Sequence, residues 1–494
     1  MKIPFVDLSK RIPISDKTLI VLIGITALFT RFYHIGKDSL WLDEAAIMAF
    51  ATEPFWEMLS SAFSDPALPL FPFTLFFWLK IFGTGIVAAR SISVLFSLLS
   101  VFLVFQIISS LFDKNTAIIT VILFVLSPFQ VYYAQELRVY SMLQFLGLVS
   151  VYSFINLLDE VKPSRVFIYI LTIALILYAH VYGWFLLLFQ WFWAYYVWRN
   201  GRLSLKRLLH VLYSGSAAIF LFMPYFFYYF RMILSVRNEF WIKSPNLIHL
   251  AGIFEQYAGY LPLFIFLFPF AFLTSFLFIR NKVKEGEQHR ILFLLCWAAF
   301  PIIIPFIISH VISPMFQVRY TIFAAVPFYA LTAFGINKIS NRPLFRLSLL
   351  LLIIIAVIGL HKHNSSITRE PWDQVVMDLK LKTAPNEPIL VGADFCYNYL
   401  FLYYGKDLAE QSTGLSETDV KSGEKLEKMI SEIRDDSKSV WFVSSHFDPF
   451  EETVLNHLRP FYKQHEKFTY YYRDLYDRDI PGIVVYHLTS TSEK

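Results

Sequence analysis

The sequence predicts an α-helical, polytopic membrane protein with a small soluble α/β domain at its C-terminal end. Three observations carry that expectation. Hydrophobic residues make up 56% of the 494-residue chain and charged residues only 16%, more apolar material than a soluble core would bury. Apolar runs of roughly 17 to 25 residues recur from Leu19 to Leu360, each long enough to cross a ~30 Å hydrocarbon layer as a helix. The last part of the chain has a different composition: residues 363–494 hold 15 Lys and Arg against 22 Asp and Glu, a net charge of −7, whereas residues 1–362 carry +12.

Taken in order, the apolar runs give about eleven crossings. The first has a basic flank but no small-residue cleavage site, and an acidic loop follows it directly, so it reads as a retained helix and not a signal peptide. Basic residues set the orientation. Segments WRNGRLSLKR, IRNKVKEGEQHR and NKISNRPLFR anchor one side, where the connections hold roughly 18 Lys and Arg against roughly 9 on the other. That side is the cytoplasm, and it holds the N-terminus; after an odd number of crossings, residues 363–494 lie outside in a multi-pass plasma membrane. The run LPLFPFTLFFWLKIFG at residues 68–83 contains Pro69, Pro72 and Lys80 and is only as long as an interfacial or re-entrant helix. It is therefore assigned to the outer surface, within a long first outer loop at about residues 36–89.

The domain boundary is expected at residue 362, with a transmembrane domain at 1–362 and a soluble domain at 363–494. In the latter, PILVGA, SVWFVSS and GIVVYHL read as short buried strands, and PWDQVVMDLK and GEKLEKMISEIR as helices, with Pro371 in a first helical turn. Cys296 falls in a span and Cys396 in the outer domain, which sets aside a disulfide framework or a cysteine-based metal site.

Function is legible in where the polar residues fall. The inferred bilayer core contains no mid-span Asp, Glu, Lys or Arg, although ion-coupled transporters place ionisable groups there. A lipid or glycan flippase or transporter, the main alternative, needs such a polar path. A second alternative is a structural subunit whose soluble domain does the binding. The outer ends of the spans collect Asp43 and Glu44 in SLWLDEA, then Glu136, Arg138 and Tyr140 in YYAQELRVYSM, then His180 and Tyr182, then Arg319 and Tyr320 in MFQVRY. Carboxylates beside guanidinium groups at headgroup depth suit a phosphate-linked lipid substrate, because the forked donors of Arg bind phosphate oxygens. Each residue also has an ordinary structural reading. Asp43 and Glu44 suit the start of the helix AAIMAF, Arg138 and Arg319 suit interfacial snorkelling, and His180 suits a satisfied interfacial position.

The motifs WLDEA, SDPALPLFPFTLFFW, FGTGIVAARSISVLFSLLSV, SPFQVYYAQELRVYSM and QVRYTIFAAVPFYAL, in that order over about residues 18–340, resemble the GT-C superfamily of membrane glycosyltransferases. The branch they resemble contains the protein O-mannosyltransferases and the lipid A aminoarabinose transferases. The resemblance implies a polyprenyl-phosphate sugar donor, inversion at the anomeric carbon, and a first-loop acid at the reaction centre. In this chain that acid is Asp43, the expected general base, with Glu44 beside it. Glu136, Arg138, Tyr140, Arg319, Tyr320, Asp65, His180 and Tyr182 are the expected substrate-binding residues. Relatives have a His-Pro-Pro-Leu run where this chain has Asp65-Pro66-Ala67-Leu68-Pro69-Leu70, so no role of that histidine carries over. The acids leave room for a divalent metal, while a lipid monophosphate can also be held by Arg alone. The expected partners are the bilayer, the lipid-linked sugar and an acceptor protein, lipid or polysaccharide. No nucleic acid is expected.

Overall fold

The computed structural model describes residues 17–490 except 65–67, 237–241, 243, 281–283, 447–449 and 474–477. The chain divides into two units, Met1–Ile35 with Phe50–Lys362, and Gly36–Ala49 with His363–Lys494. Segment 36–49, which the sequence reading puts in the first outer loop, thus groups with the C-terminal residues.

The first unit is helical, as lipid demands of a chain whose backbone polar groups must bond within their own segment. Among the described residues, seven helices have the length and hydropathy to cross a membrane, or eight if the bent pair Lys114–Leu126 and Pro128–Ala134 is one span. The count of about eleven is not reached on that measure. Helices Lys17–Phe32, Pro163–Ala179 and Gly183–Arg199 are 16, 17 and 17 residues long, at the lower limit for crossing. Tyr140–Asp159 and Ala325–Asn337 are buried along nearly their whole length and form the interior of the unit. By contrast, Leu261–Ile279 leaves Ile265 and Phe272 more than half exposed, as a helix facing lipid tails would. Helix Leu70–Phe82 has 13 residues, too short for a ~30 Å layer at 1.5 Å per residue. Pro72 lies in its first turn, where its missing N–H leaves no intrahelical bond unmade.

One break shapes one end of this unit. Helix Lys114–Leu126 stops at Ser127, and Pro128–Ala134 departs at 60°. Pro128 has no N–H to give the carbonyl of Phe124, four residues back, and its ring crowds that carbonyl. Arg31 supplies the missing donors. Its Nη2 donates to the Phe124 oxygen at 3.1 Å and its Nη1 to the Val125 oxygen at 2.7 Å, while Nε reaches Ser97 Oγ at 3.3 Å. Gln135, at the far end of the second short helix, returns the favour to the first span. Its Nε2 donates to the carbonyls of Arg31 at 3.1 Å and Tyr33 at 2.8 Å. Gly259 closes the break from the other side: its φ of +69° is left-handed, and a Cβ there would stand 2.4 Å from the Phe129 nitrogen, so only glycine fits.

The second unit is built on a five-stranded mixed sheet of order β2-β1-β3-β5-β4. β1 (Ile389–Gly392), fully buried, lies parallel to β2 (Ser412–Leu415) and β3 (Ser439–Ser444). β5 (Asp479–Ser490) runs antiparallel to β3 and to β4 (Tyr462–Arg473). Helices Trp372–Lys382, Glu424–Asp436 and Phe450–Leu458 accompany it. The three expected strands are β1, β3 and β5; β2 and β4 are additions. Pro371 stands just before its helix, not inside the first turn. Both cysteines are free.

Candidate active site

In the first unit, five of the residues named from the sequence share one cluster. The guanidinium of Arg319 lies over the rings of Tyr140 and Tyr320, 5.8 and 5.5 Å from their centroids, an arrangement that fixes its plane as well as its charge. The Tyr320 ring centroid lies 4.6 Å from that of His180 and 5.5 Å from that of Tyr182. Tyr182 donates its hydroxyl to the Met315 carbonyl at 3.2 Å, and Ser309 Oγ accepts from the Met315 and Phe316 backbone N–H groups, each at 3.0 Å. These bonds hold the strand of chain that delivers Arg319 at the start of the 3-10 helix Val318–Ala324.

Glu136 and Arg138 occupy the turn between Pro128–Ala134 and Tyr140–Asp159. The Arg138 N–H donates to the Glu136 carbonyl at 2.8 Å, a tight three-residue turn that begins directly after the anchored Gln135. Glu136 is buried. The fields of Arg138 and Arg319 both act on His180, whose imidazole burial and these two cations push down to about 3. The cluster is therefore rich in hydrogen-bond donors and positive charge, suited to an anion.

In the second unit, Asp43 and Glu44 stand in the first turn of helix Leu42–Thr52, not at its N-cap; negative charge is favoured there too. The approach to this turn is tied at successive residues to the stretch after residue 363. Lys37 Nζ donates to the carbonyls of Asn364 and Ser366 at 2.7 and 2.9 Å. Asp38 Oδ2 accepts from the Thr368 N–H and hydroxyl at 2.9 and 2.5 Å, and Ser39 Oγ donates to the Glu370 carbonyl at 3.0 Å. Buried Glu44 pairs with buried Arg369, Oε2 to Nε 3.7 Å. Glu370 in turn binds His446, Oε1 to Nε2 2.8 Å, and accepts from Trp372 Nε1 at 3.1 Å. The hydrogen bond that His446 donates to Glu370, followed by the charges of Glu370 and Asp43, raises the His446 imidazole above its ordinary value.

Sequence reasoning missed Arg369, Glu370 and His446. The adjacent charges in TREPW were the available signal; nothing marked His446, which holds φ at +52°, an unusual angle for a residue with a side chain. Asp65 lies outside the described residues. Among the described residues, no group of three or more His, Cys, Asp and Glu side chains is arranged to hold a metal ion.

Because His446 is raised in the folded protein, its pairing with Glu370 adds stability that is complete below the ordinary histidine value of about 6.5 and is lost as pH rises through the folded value. His446→Gln should therefore lower the melting temperature of the purified protein more at pH 6 than at pH 9. Equal losses at both pH values would contradict a charged pair.

Residues 64–228, about a third of the chain, match the family described as dolichyl-phosphate-mannose-protein mannosyltransferase. No curated protein matches the chain by sequence. Among solved structures, ArnT from Cupriavidus metallidurans bound to undecaprenyl phosphate aligns with a TM-score of 0.58 at 14% identity, over 95% of this chain and 98% of that one. The archaeal oligosaccharyltransferase AglB from Archaeoglobus fulgidus, in complex with an inhibitory peptide and a dolichol-phosphate, aligns with a TM-score of 0.56 at 11% identity, over 95% of this chain and 74% of that one. At such identities the likeness is one of fold. With the family match and the shared fold together, the chain resembles the GT-C membrane glycosyltransferases of the protein O-mannosyltransferase-like branch.

Proposed function

We propose that this protein transfers a sugar from a polyprenyl-phosphate carrier to an acceptor hydroxyl on the extracytoplasmic side of the membrane, inverting the anomeric centre. The observation that carries this reading is the cluster of Arg319, Tyr140, Tyr320 and His180 in a helical, lipid-embedded unit. It offers a cation and hydrogen-bond donors for an anionic headgroup. Undecaprenyl phosphate in ArnT and dolichol-phosphate in AglB, both similar in fold, supply the chemical class of lipid. The donor sugar is a hexose or pentose, and the acceptor a protein, lipid or polysaccharide.

The reaction asks for a base at the acceptor oxygen and cations at the leaving group. Asp43 is assigned as the base, taking the hydroxyl proton as the acceptor oxygen bonds to the anomeric carbon. The bond from that carbon to the phosphate oxygen breaks, and the departing lipid phosphate gains one negative charge. Arg138 and Arg319 are assigned to stabilise it. Glu44 and Glu136 orient the acceptor, the sugar or an Arg. In this reading the eight long or bent spans are joined by Lys17–Phe32, Pro163–Ala179 and Gly183–Arg199 to make eleven, with the N-terminus in the cytoplasm and residues 363–494 outside.

Two measurements test the reading. In a transfer assay with lipid-linked sugars extracted from the native membrane, Asp43→Asn should lower the rate by about 10² or more with folding preserved, while Arg138→Lys and Arg319→Lys should each lower kcat/KM for the lipid donor about ten- to hundredfold. Near-normal transfer by Asp43→Asn would leave it a first-turn acid only. Cysteines placed near Glu136 and in the C-terminal unit should react with an impermeant reagent from outside, and cysteines near Arg202 and Lys284 only from inside. Labelling of Glu136 and Arg202 neighbours from the same face would refute the orientation.

A further inference from the structure

His180 follows the helix Pro163–Ala179 and is held by a bond that settles which of its ring nitrogens carries hydrogen. The backbone N–H of Tyr182 lies 3.2 Å from His180 Nδ1. A backbone N–H can only donate, so Nδ1 must present its lone pair and the hydrogen resides on Nε2. The ring is clamped between neighbours, its centroid 4.6 Å from Tyr320 and 5.5 Å from Tyr182, and the residue is 8% exposed. A second proton on this ring would have to enter a buried place facing Arg138 and Arg319, with Tyr182 and Tyr320 as the other titratable groups against it.

We infer that His180 is a neutral donor of fixed tautomer in the anion site, its Nε2–H bonding an oxygen of the lipid phosphate beside Arg319. This inference rests on the proposed polyprenyl-phosphate reading and adds a specific role to it. An imidazole so held neither takes the acceptor proton, because its free nitrogen already carries hydrogen, nor contributes charge. It adds direction: two guanidinium groups neutralise a phosphate, and a single rigid N–H fixes how it is turned.

The test is equilibrium binding of undecaprenyl phosphate to the purified full-length protein in detergent, with undecaprenol as the phosphate-free control. His180→Phe keeps an aromatic ring for Tyr320 but removes the donor, and should weaken binding of the phosphate about tenfold or more. It should leave binding of undecaprenol unchanged. His180→Gln keeps an amide N–H and should stay within about threefold of the wild type. The ratio of the two dissociation constants, His180→Gln over wild type, should hold constant from pH 5.5 to 8, since the lipid's own ionisation cancels in it. A ratio that climbs as pH falls below about 6.5 would mean a charged imidazole and overturn the inference; this ratio decides the matter even if His180→Phe does not fold. Unweakened binding by His180→Phe, with Arg319→Lys weakened, would overturn the role of His180 alone. Failure of the wild-type protein to prefer the phosphate over undecaprenol would overturn the anion site itself.

Discussion

A backbone carbonyl inside a membrane protein must find a donor within the protein, and the junction at Ser127–Pro128 is one place where this chain breaks its own supply. The starting point of the turn that carries Glu136 and Arg138 follows from how that loss is repaired. Burying an Arg in a membrane span costs at most about 2.5 to 3.5 kcal/mol on insertion scales, the value at the helix centre; Arg31 lies in the last turn of its helix. Two charge-assisted bonds to the Phe124 and Val125 oxygens, at about 1.5 to 3 kcal/mol each, offset that cost. The same guanidinium also sits at the carbonyl end of helix Lys114–Leu126, where positive charge is favoured. Arg31 is thus stable at the break and would be costly elsewhere in the span. Gln135 then ties the short helix after the break back to the first span, so the turn carrying Glu136 and Arg138 starts from a fixed point.

The chemistry of each unit can be read from its donors and acceptors. The helical unit gathers guanidinium, phenol and imidazole groups around Arg319, an environment chemically suited to an anion. The second unit gathers carboxylates: Asp43 and Glu44 in one helical turn, Glu370 nearby in its network, with Arg369 pairing Glu44 and His446 pairing Glu370. Segment 36–49 is held through Lys37, Asp38 and Ser39 to residues 364–370. The C-terminal residues therefore have a structural part in placing the acidic turn.

How much of this was legible in the sequence depended on the range of the interactions involved. Apolar runs and the β-branched segments ILVG and SVWFVS announce themselves locally, because burial on both faces requires continuous hydrophobic residues. β2, with the sequence STGL, is too polar to do so, and β4 presents Lys463, Gln464, His465, Glu466 and Lys467 to solvent at the sheet edge. Tyr140, Arg319, Tyr320, His180 and Tyr182 could be named because each lies beside the end of an apolar run. Arg31 and Gln135 could not, since each acts on carbonyls about a hundred residues away in sequence. Arg369, Glu370 and His446 were hidden for the same reason: their connection to Asp43 and Glu44 passes through the fold of the second unit.

The central claim is that a polyprenyl-phosphate sugar is consumed outside the cytoplasm. Mass analysis of lipid-linked sugars and surface glycans in cells lacking this protein tests it most directly. The account predicts that one polyprenyl-phosphate sugar accumulates while one glycan loses the same sugar residue, naming donor and acceptor together. Unchanged lipid-linked sugars and unchanged glycans in those cells would contradict it.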